Sequence, residues 1–191
     1  MSRVFGLILA GGEGSRLGVV RKANLRIGGV PVIRRVAGAF ENKVAQLFVA
    51  SGQDEISDPA FTCIRDESTV PMGPLAGIRA ALRHLEQRSE RDDILVTAAV
   101  DTPFLPPDYV ERLEEAAAKS GAAYAAWGDN IYPTNSAWHL DTLRDALEGV
   151  GESAGPKAIL ARLGAARVDW SAGAATNPFA NINTLDDLIA L

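Results

Sequence analysis

Ile94 to Val100 reads ILVTAAV, one continuous apolar run where a half-exposed strand would alternate. A strand built this way must be covered on both faces, and a parallel sheet layered with helices is the usual solution. The rest of the chain supplies the matching rhythm. The residues around Ile8 and Leu9 read as a buried central strand ending at Ala10, QLFVA ending at Ala50 as a second and FTCI as a third. Between them, VPVIRRVAGAF follows the Gly28-Gly29 turn, sets Pro31 in its first turn, and places Val32, Ile33, Val36, Ala37 and Phe40 on one helical face. Gly77 to Gln87 carries Ile78, Ala81, Leu82 and Leu85 at helical spacing, and Pro106 and Pro107 open a helix running to about Lys119. Later, AAYAAWGD, NIYPTNSAWHL and ARVDW read as strands, and DTLRDALEGV and PKAILARLG as helices. In the tail, Thr184 is the candidate N-cap of a last helix, with Asp187 three residues on. The expectation is a single-domain α/β fold, a mostly parallel Rossmann-like sheet with helices on both faces, binding its ligand outside the carboxyl ends of the strands.

The first strand leads directly into Gly11, Gly12, Gly14 and Gly18. Glycine admits positive φ and has no Cβ, so backbone N–H groups can close on an anion. Arg16 and Lys22 in the same stretch add a planar guanidinium and a mobile ammonium, two cations suited to adjacent phosphoryl groups. Two commoner loops do not fit. A dinucleotide fingerprint starting at Gly12 and Gly14 meets Leu17 where its third glycine belongs, and no acidic residue ends the second strand near Ser51. The Walker pattern needs Lys before Ser or Thr, whereas Lys22 stands between Arg21 and Ala23. Glycines at a strand-to-helix turn can also do no more than relieve crowding.

Three further stretches carry chemistry. Asp101, directly after the most apolar strand, projects a carboxylate from a strand's carboxyl end, where it can serve as a magnesium ligand or cap the following Thr102-Pro103 turn. Gly73-Pro74-Leu75-Ala76-Gly77 is a small-residue turn feeding a helix N-terminus, whose free N–H groups favour an anion or a polar ligand edge. Asn181 and Asn183 bracket Ile182, so in an extended segment both amides face one way, although asparagine is also common in turns.

Net charge excludes one class of partner. At -5 over 191 residues, the chain lacks the clustered cations of non-specific nucleic-acid binding, while a small anionic ligand needs only a few. Cys63 is the single cysteine, which precludes an internal disulfide or a thiolate zinc site; it reads as a small apolar side chain of the FTCI strand. No apolar run approaches membrane-span length, and the N-terminal apolar run leads into the glycine loop without a signal-peptide layout, so the cytoplasm is the expected compartment. His84 and His139 read as ordinary helix or strand surface.

Taken in order, Leu9-Ala10-Gly11-Gly12, Ser15-Arg16-Leu17-Gly18 and Lys22, then Gly73-Pro74-Leu75-Ala76-Gly77, Val100-Asp101-Thr102-Pro103 and Asn181-Ile182-Asn183-Thr184 resemble the motifs of the MobA-like molybdenum cofactor guanylyltransferases, a family of nucleoside-triphosphate transferases. The resemblance implies a fold like that of the nucleotide-diphospho-sugar transferases, with a nucleotide-binding half at about 1–105 and an acceptor-binding half at about 106–191. It implies magnesium-dependent transfer of GMP from GTP to the phosphate of a molybdopterin-type acceptor, with release of pyrophosphate, and molybdoenzyme maturation proteins as partners. It assigns the metal to Asp101, the triphosphate to Arg16, Lys22 and the Gly11 to Gly18 amides, and the base and ribose to Leu9, Ala10 and Ser51. Asp66 matches a nucleotide-contacting aspartate, Gly73, Pro74, Leu75 and Gly77 lie beside the nucleotide, and Asn181 and Asn183 beside metal and acceptor. An acceptor phosphate is already a nucleophile, so alignment and charge neutralisation are needed more than a strong base.

One departure stands out: the family has Asp-Lys where this chain has Arg21-Lys22. For the anionic acceptor the chain offers mainly Arg144, Lys157, Arg162 and Arg167. A transferase using CTP or another phosphorylated acceptor, and a non-catalytic nucleotide-binding regulator, are the alternatives left open.

Overall fold

The computed structural model describes residues 2–11, 23, 25–51, 61–64, 73–86, 89–90, 92–151, 154–173, 175–182 and 187. In chain order the elements are β1 (Val4–Leu9), β2 (Arg26–Ile27), β3 (Val30–Pro31), α1 (Val32–Gly38), β4 (Gln46–Ala50), β5 (Thr62–Ile64), α2 (Pro74–Leu85) and β6 (Ile94–Ala99). They continue with α3 (Tyr109–Ser120), β7 (Ala122–Trp127), β8 (Asn130–His139), α4 (Leu140–Leu147), α5 (Pro156–Leu163) and β9 (Ala166–Asp169). Seven strands form one sheet in the order β5-β4-β1-β6-β8-β7-β9. The pairs β4–β5, β1–β4, β1–β6 and β7–β9 are parallel; β8 runs antiparallel between β6 and β7. The mostly parallel α/β sheet is therefore as expected, with one reversed strand inside it.

Both faces are covered, as the unbroken apolar strands require. All six residues of β1 are buried. Because successive side chains alternate, Val4 and Ile8 join one core, with Val36, Phe40, Val96, Tyr109 and Leu113, while Phe5, Leu7 and Leu9 join the other, with Phe48, Ile78, Leu82, Trp138 and Ile159. Helices α1 and α3 cover the first face; α2, α4 and α5 cover the second. Each fully buried Leu, Ile or Phe contributes about 1.5–3 kcal/mol, so the two cores hold the sheet from opposite sides.

Local chemistry shifted several element boundaries from their expected places. Gly28 and Gly29 both take positive φ, 57° and 79°, and close a tight β2–β3 hairpin. Pro31 consequently sits in β3 as the N-cap of α1 and not in its first turn. Pro106 and Pro107 likewise stop short of α3: the Tyr109 amide donates to the Pro106 carbonyl across a turn, and Asp108 is the N-cap. Gly73, with φ 70°, permits the entry into α2, so that helix begins at Pro74, three residues before the apolar spacing announces it. Cys63 lies in β5 as expected but is exposed, because β5 is an edge strand. The tail expectation at Thr184 falls outside the described residues. Among the described residues, no helix is long and apolar enough to cross a membrane.

Candidate active site

Register brings the strand ends together. Leu9 pairs with Ala50 on one side and with Ala99 on the other. One residue further on, the Ala10 N–H donates to the Ala50 carbonyl at 2.8 Å, and the Val100 N–H donates to the Leu9 carbonyl at 3.1 Å. Three chain exits thus lie side by side: Ala10-Gly11 into the glycine stretch, Ala50-Ser51, and Val100-Asp101. Ser51 is buried. Asp101 is half-buried, and its carbonyl accepts the Ile182 N–H at 2.9 Å, which lays Asn181 and Ile182 across the same edge.

The small-residue turn completes the edge from above. A Cβ at Gly77 would stand 2.8 Å from the Ala50 Cβ and 3.0 Å from Leu9 Cδ2, so only glycine lets the first turn of α2 rest on the ends of β1 and β4. Leu75 is buried there, and Gly73 and Pro74 remain exposed. The structure therefore gathers Leu9, Ala10, Gly11, Ser51, Leu75, Gly77, Asp101 and Asn181 at one carboxyl edge. Gly12, Gly14, Ser15, Arg16, Gly18, Lys22, Asp66 and Asn183 lie outside the described residues, as does Arg21.

Beneath Asp101 lies a buried polar group that the apolar pattern of β6 gave no reason to expect. Proline cannot donate to a ladder, and Pro133 coincides with a break in register: β7 pairs with β8 at Tyr124–Ser136 and next at Ala125–Tyr132. The pairing of β6 with β8 stops at Thr97–Ser136, which leaves Ala99 without a backbone partner from β8. Asn135 supplies one, its Oδ1 accepting the Ala99 N–H at 2.8 Å and lying 3.4 Å from the Thr102 hydroxyl. That hydroxyl in turn donates to the Ala99 carbonyl at 2.8 Å. Thr97 Oγ1 meets Ser136 Oγ at 2.9 Å, and the Tyr109 hydroxyl donates to the Thr97 carbonyl at 2.5 Å. Burial pushes the Tyr109 phenol well above its ordinary range, so it stays a donor. One atom is left over: Asn135 Nδ2 is buried with no hydrogen-bond partner, an arrangement that costs about 1–3 kcal/mol. The sequence shows the polar trio Thr134-Asn135-Ser136 within the strand but carries nothing about its partner on β6.

Aromatic rings buttress this edge. Phe179 lies 5.1 Å from Trp170 and 5.2 Å from Tyr132, centroid to centroid, and Tyr109 is within 6.2 Å of both Trp170 and Phe179. Asn177 Nδ2 donates to the Tyr132 hydroxyl at 2.6 Å, tying down the segment that carries Asn181. These contacts join residues far apart in the chain, and no local pattern announces them.

The expected acceptor cations are mostly engaged elsewhere. Arg144 pairs with Asp141 at 2.5 Å, and Arg162 donates to the Ala146 carbonyl at 3.1 Å. Arg167 binds Asp169 at 2.9 Å and the Gly128 carbonyl. The Ser171 N–H, aided by Arg167, holds the Asp169 carboxyl at about 2. Lys157 is exposed on α5. A cavity lined by Glu86, Ser89, Glu90, Asp141, Arg144 and Asp145 sets four carboxylates against one guanidinium, which suits it poorly to phosphate. His84 packs edge-on against Phe48, and His139 Nε2 lies 3.8 Å from Asp92, so neither histidine stands at the carboxyl edge.

A model of the MobA-like NTP transferase domain matches residues 6–168. The chain belongs to that family. Among the relatives of this MobA-like domain, a molybdenum cofactor guanylyltransferase of Cereibacter sphaeroides is 38% identical over 97% of this chain and 94% of its own length. A solved structure, molybdopterin-guanine dinucleotide biosynthesis protein A from Archaeoglobus fulgidus, superimposes with a TM-score of 0.70 at 26% identity, covering 97% of this chain and 95% of the other. A nucleotidyl transferase from Methanothermobacter thermautotroptrophicus has the same fold, with a TM-score of 0.74 at 23% identity over 100% of this chain and 96% of the other.

Proposed function

We propose that this chain transfers GMP from GTP to the phosphate of molybdopterin and releases pyrophosphate. What carries the reading is the adjacency of Asp101 to the exit of β1, where the Val100 N–H meets the Leu9 carbonyl. The 38% identity to a guanylyltransferase over nearly the whole chain supports the choice of substrates.

The donor set fits magnesium. Asp101 offers one half-buried carboxylate at the strand ends, a hard oxygen ligand of the kind Mg²⁺ takes. That is the pattern for an ion brought in with a triphosphate, since Mg²⁺ keeps several waters and takes one or two protein carboxylates. Asp101 would hold the ion, which would supply charge neutralisation for the phosphoryl transfer. Arg16 and Lys22 grip the triphosphate, and amides from Gly11, Gly12, Gly14 and Gly18 surround its outer phosphates. Leu9, Ala10 and Ser51 border base and ribose, Asp66 contacts the nucleotide, the Gly73 to Gly77 turn lies beside it, and Asn181 and Asn183 lie next to metal and acceptor. The product then passes to molybdoenzyme maturation proteins in the cytoplasm.

Pyrophosphate release tests this, measured with GTP or CTP, with and without molybdopterin, in magnesium or excess chelator. Release is expected only with GTP, molybdopterin and magnesium together. Preference for CTP would reassign the base, and tight GTP binding with no release under any acceptor would replace catalysis by regulation.

A further inference from the structure

We infer that Asn135 is a positioning residue for the carboxyl edge: its side-chain carbonyl completes the end of β6 and thereby sets where Asp101 presents its carboxylate. The inference rests on the reading of Asp101 as the magnesium ligand.

Three observations combine. First, Pro133 and the register break beside it take the backbone of β8 away from Ala99, and the Asn135 side chain substitutes for the missing strand partner at 2.8 Å. The Ala99 N–H needs an acceptor, which determines which end of the amide is oxygen. Second, that anchor is continuous with the turn bearing Asp101. Ala99 accepts the Thr102 hydroxyl at 2.8 Å and the Thr102 N–H at 3.3 Å, so on the β8 side the segment from Ala99 to Thr102 is held by the Asn135 side chain, while Leu9 of β1 holds Val100 on the other. Asp101 lies inside that closed loop, its own carbonyl engaged by Ile182 at 2.9 Å. Third, Asn135 is wholly buried, yet its Nδ2 has no partner. Unpaired donors are rare in native interiors and call for a reason. Trp138 Nε1 and His139 Nδ1 of the same strand are unpaired as well, so what singles out Asn135 is its side-chain carbonyl, which reaches across the gap left by the displaced strand.

Mn²⁺ binding in the presence of GTP, read by electron paramagnetic resonance, tests the inference on the full chain without relying on turnover. Amide hydrogen exchange at Ala99 is followed in parallel. Asn135→Leu keeps the branching of the side chain, though it is bulkier, and removes the acceptor; it is expected to weaken Mn²⁺ binding about tenfold, to leave the GTP KM within about twofold, and to speed exchange at Ala99. Asn135→Asp retains an oxygen at the same place and is expected to restore Ala99 protection and bind Mn²⁺ at least as tightly as the parent. Should the leucine chain not fold, Asn135→Ser, too short to reach Ala99, is expected to show the same loss in smaller degree. Wild-type Mn²⁺ affinity in Asn135→Leu or Asn135→Ser, with Asp101→Asn abolishing it, overturns the inference and leaves the metal reading standing. Wild-type affinity in Asp101→Asn overturns both.

Discussion

At the amino end of β6, Asp93 is wholly buried and both of its carboxylate oxygens are engaged. Its Oδ1 accepts the Arg3 N–H at 2.7 Å, and its Oδ2 accepts the Arg3 guanidinium and the Glu90 N–H, both at 2.8 Å. Its own carbonyl takes the Leu140 N–H at 3.0 Å, while Ile94 reaches back to the Arg3 carbonyl at 2.9 Å. At the carboxyl end of the same strand, six residues away, Asn135 keeps an unpaired amide and Asp101 stands half-exposed beside three chain exits. The contrast separates two uses of a buried polar group. A clamp that only holds the sheet is saturated, because each leftover donor or acceptor subtracts stability. An edge that must meet a ligand is left incomplete, and the cores on both faces absorb the cost.

The sharpest way to break this contrast is to neutralise the two aspartates separately. Asp101→Asn is expected to lower pyrophosphate release by about a thousandfold, equivalent to about 4 kcal/mol of barrier, while stability changes by under about 1 kcal/mol. Asp93→Ala is expected to invert the pattern. It strands the Arg3 and Glu90 N–H groups and costs about 2–4 kcal/mol of stability, with kcat per folded molecule unchanged. Urea unfolding and single-turnover assays on both variants read the two axes. A large loss of activity in Asp93→Ala, or of stability in Asp101→Asn, would merge the two ends of β6 into one kind of site.

How well the sequence foretold each end follows from the range of the interactions involved. The strands β1 and β6, the Gly28-Gly29 turn, and the position of Asp101 after an apolar strand were all readable, because period and turn chemistry are local. The reversed direction of β8 was not: NIYPTNSAWHL identifies a strand but carries no statement about its neighbour. Nor was the Asn135 anchor, since it answers a vacancy opened by Pro133 on one strand and filled toward another. The Asp93 clamp escaped for the same reason. Arg3 and Asp93 are 90 residues apart, and Asp93 closes a mixed charge run, Glu86 to Asp93, that reads as a solvated loop.

A smaller effect comes from two close-packed glycines. At Gly77, an added methyl meets the Ala50 Cβ at 2.8 Å and Leu9 at 3.0 Å, at the carboxyl edge. At Gly6, it meets Leu47 Cδ1 at 2.7 Å and Phe40 Cδ1 at 2.8 Å, in the middle of β1. Each Gly→Ala change is expected to cost about 1–3 kcal/mol through overpacking. Only Gly77→Ala should also raise the GTP KM, by about fivefold, because it lifts the first turn of α2 off the strand ends. Equal KM values in the two variants would show that the edge tolerates displacement of α2.

The smallest effect is in acid. Burial pushes the Asp93 carboxyl up, but the Arg3 and Glu90 N–H groups and the Arg3 guanidinium outweigh it and hold the group below the ordinary aspartate value of 3.8. A carboxyl depressed on folding binds its proton more readily in the unfolded chain. Its contribution to stability is therefore complete above the ordinary value and is lost as pH falls through the lowered one. Unfolding free energies measured between pH 5 and about 2 should thus fall less steeply in Asp93→Asn than in the parent, since the amide has no proton to gain. An acid limb as steep in Asp93→Asn as in the parent would show that the Arg3 clamp adds no charge-dependent stability at the amino end of β6.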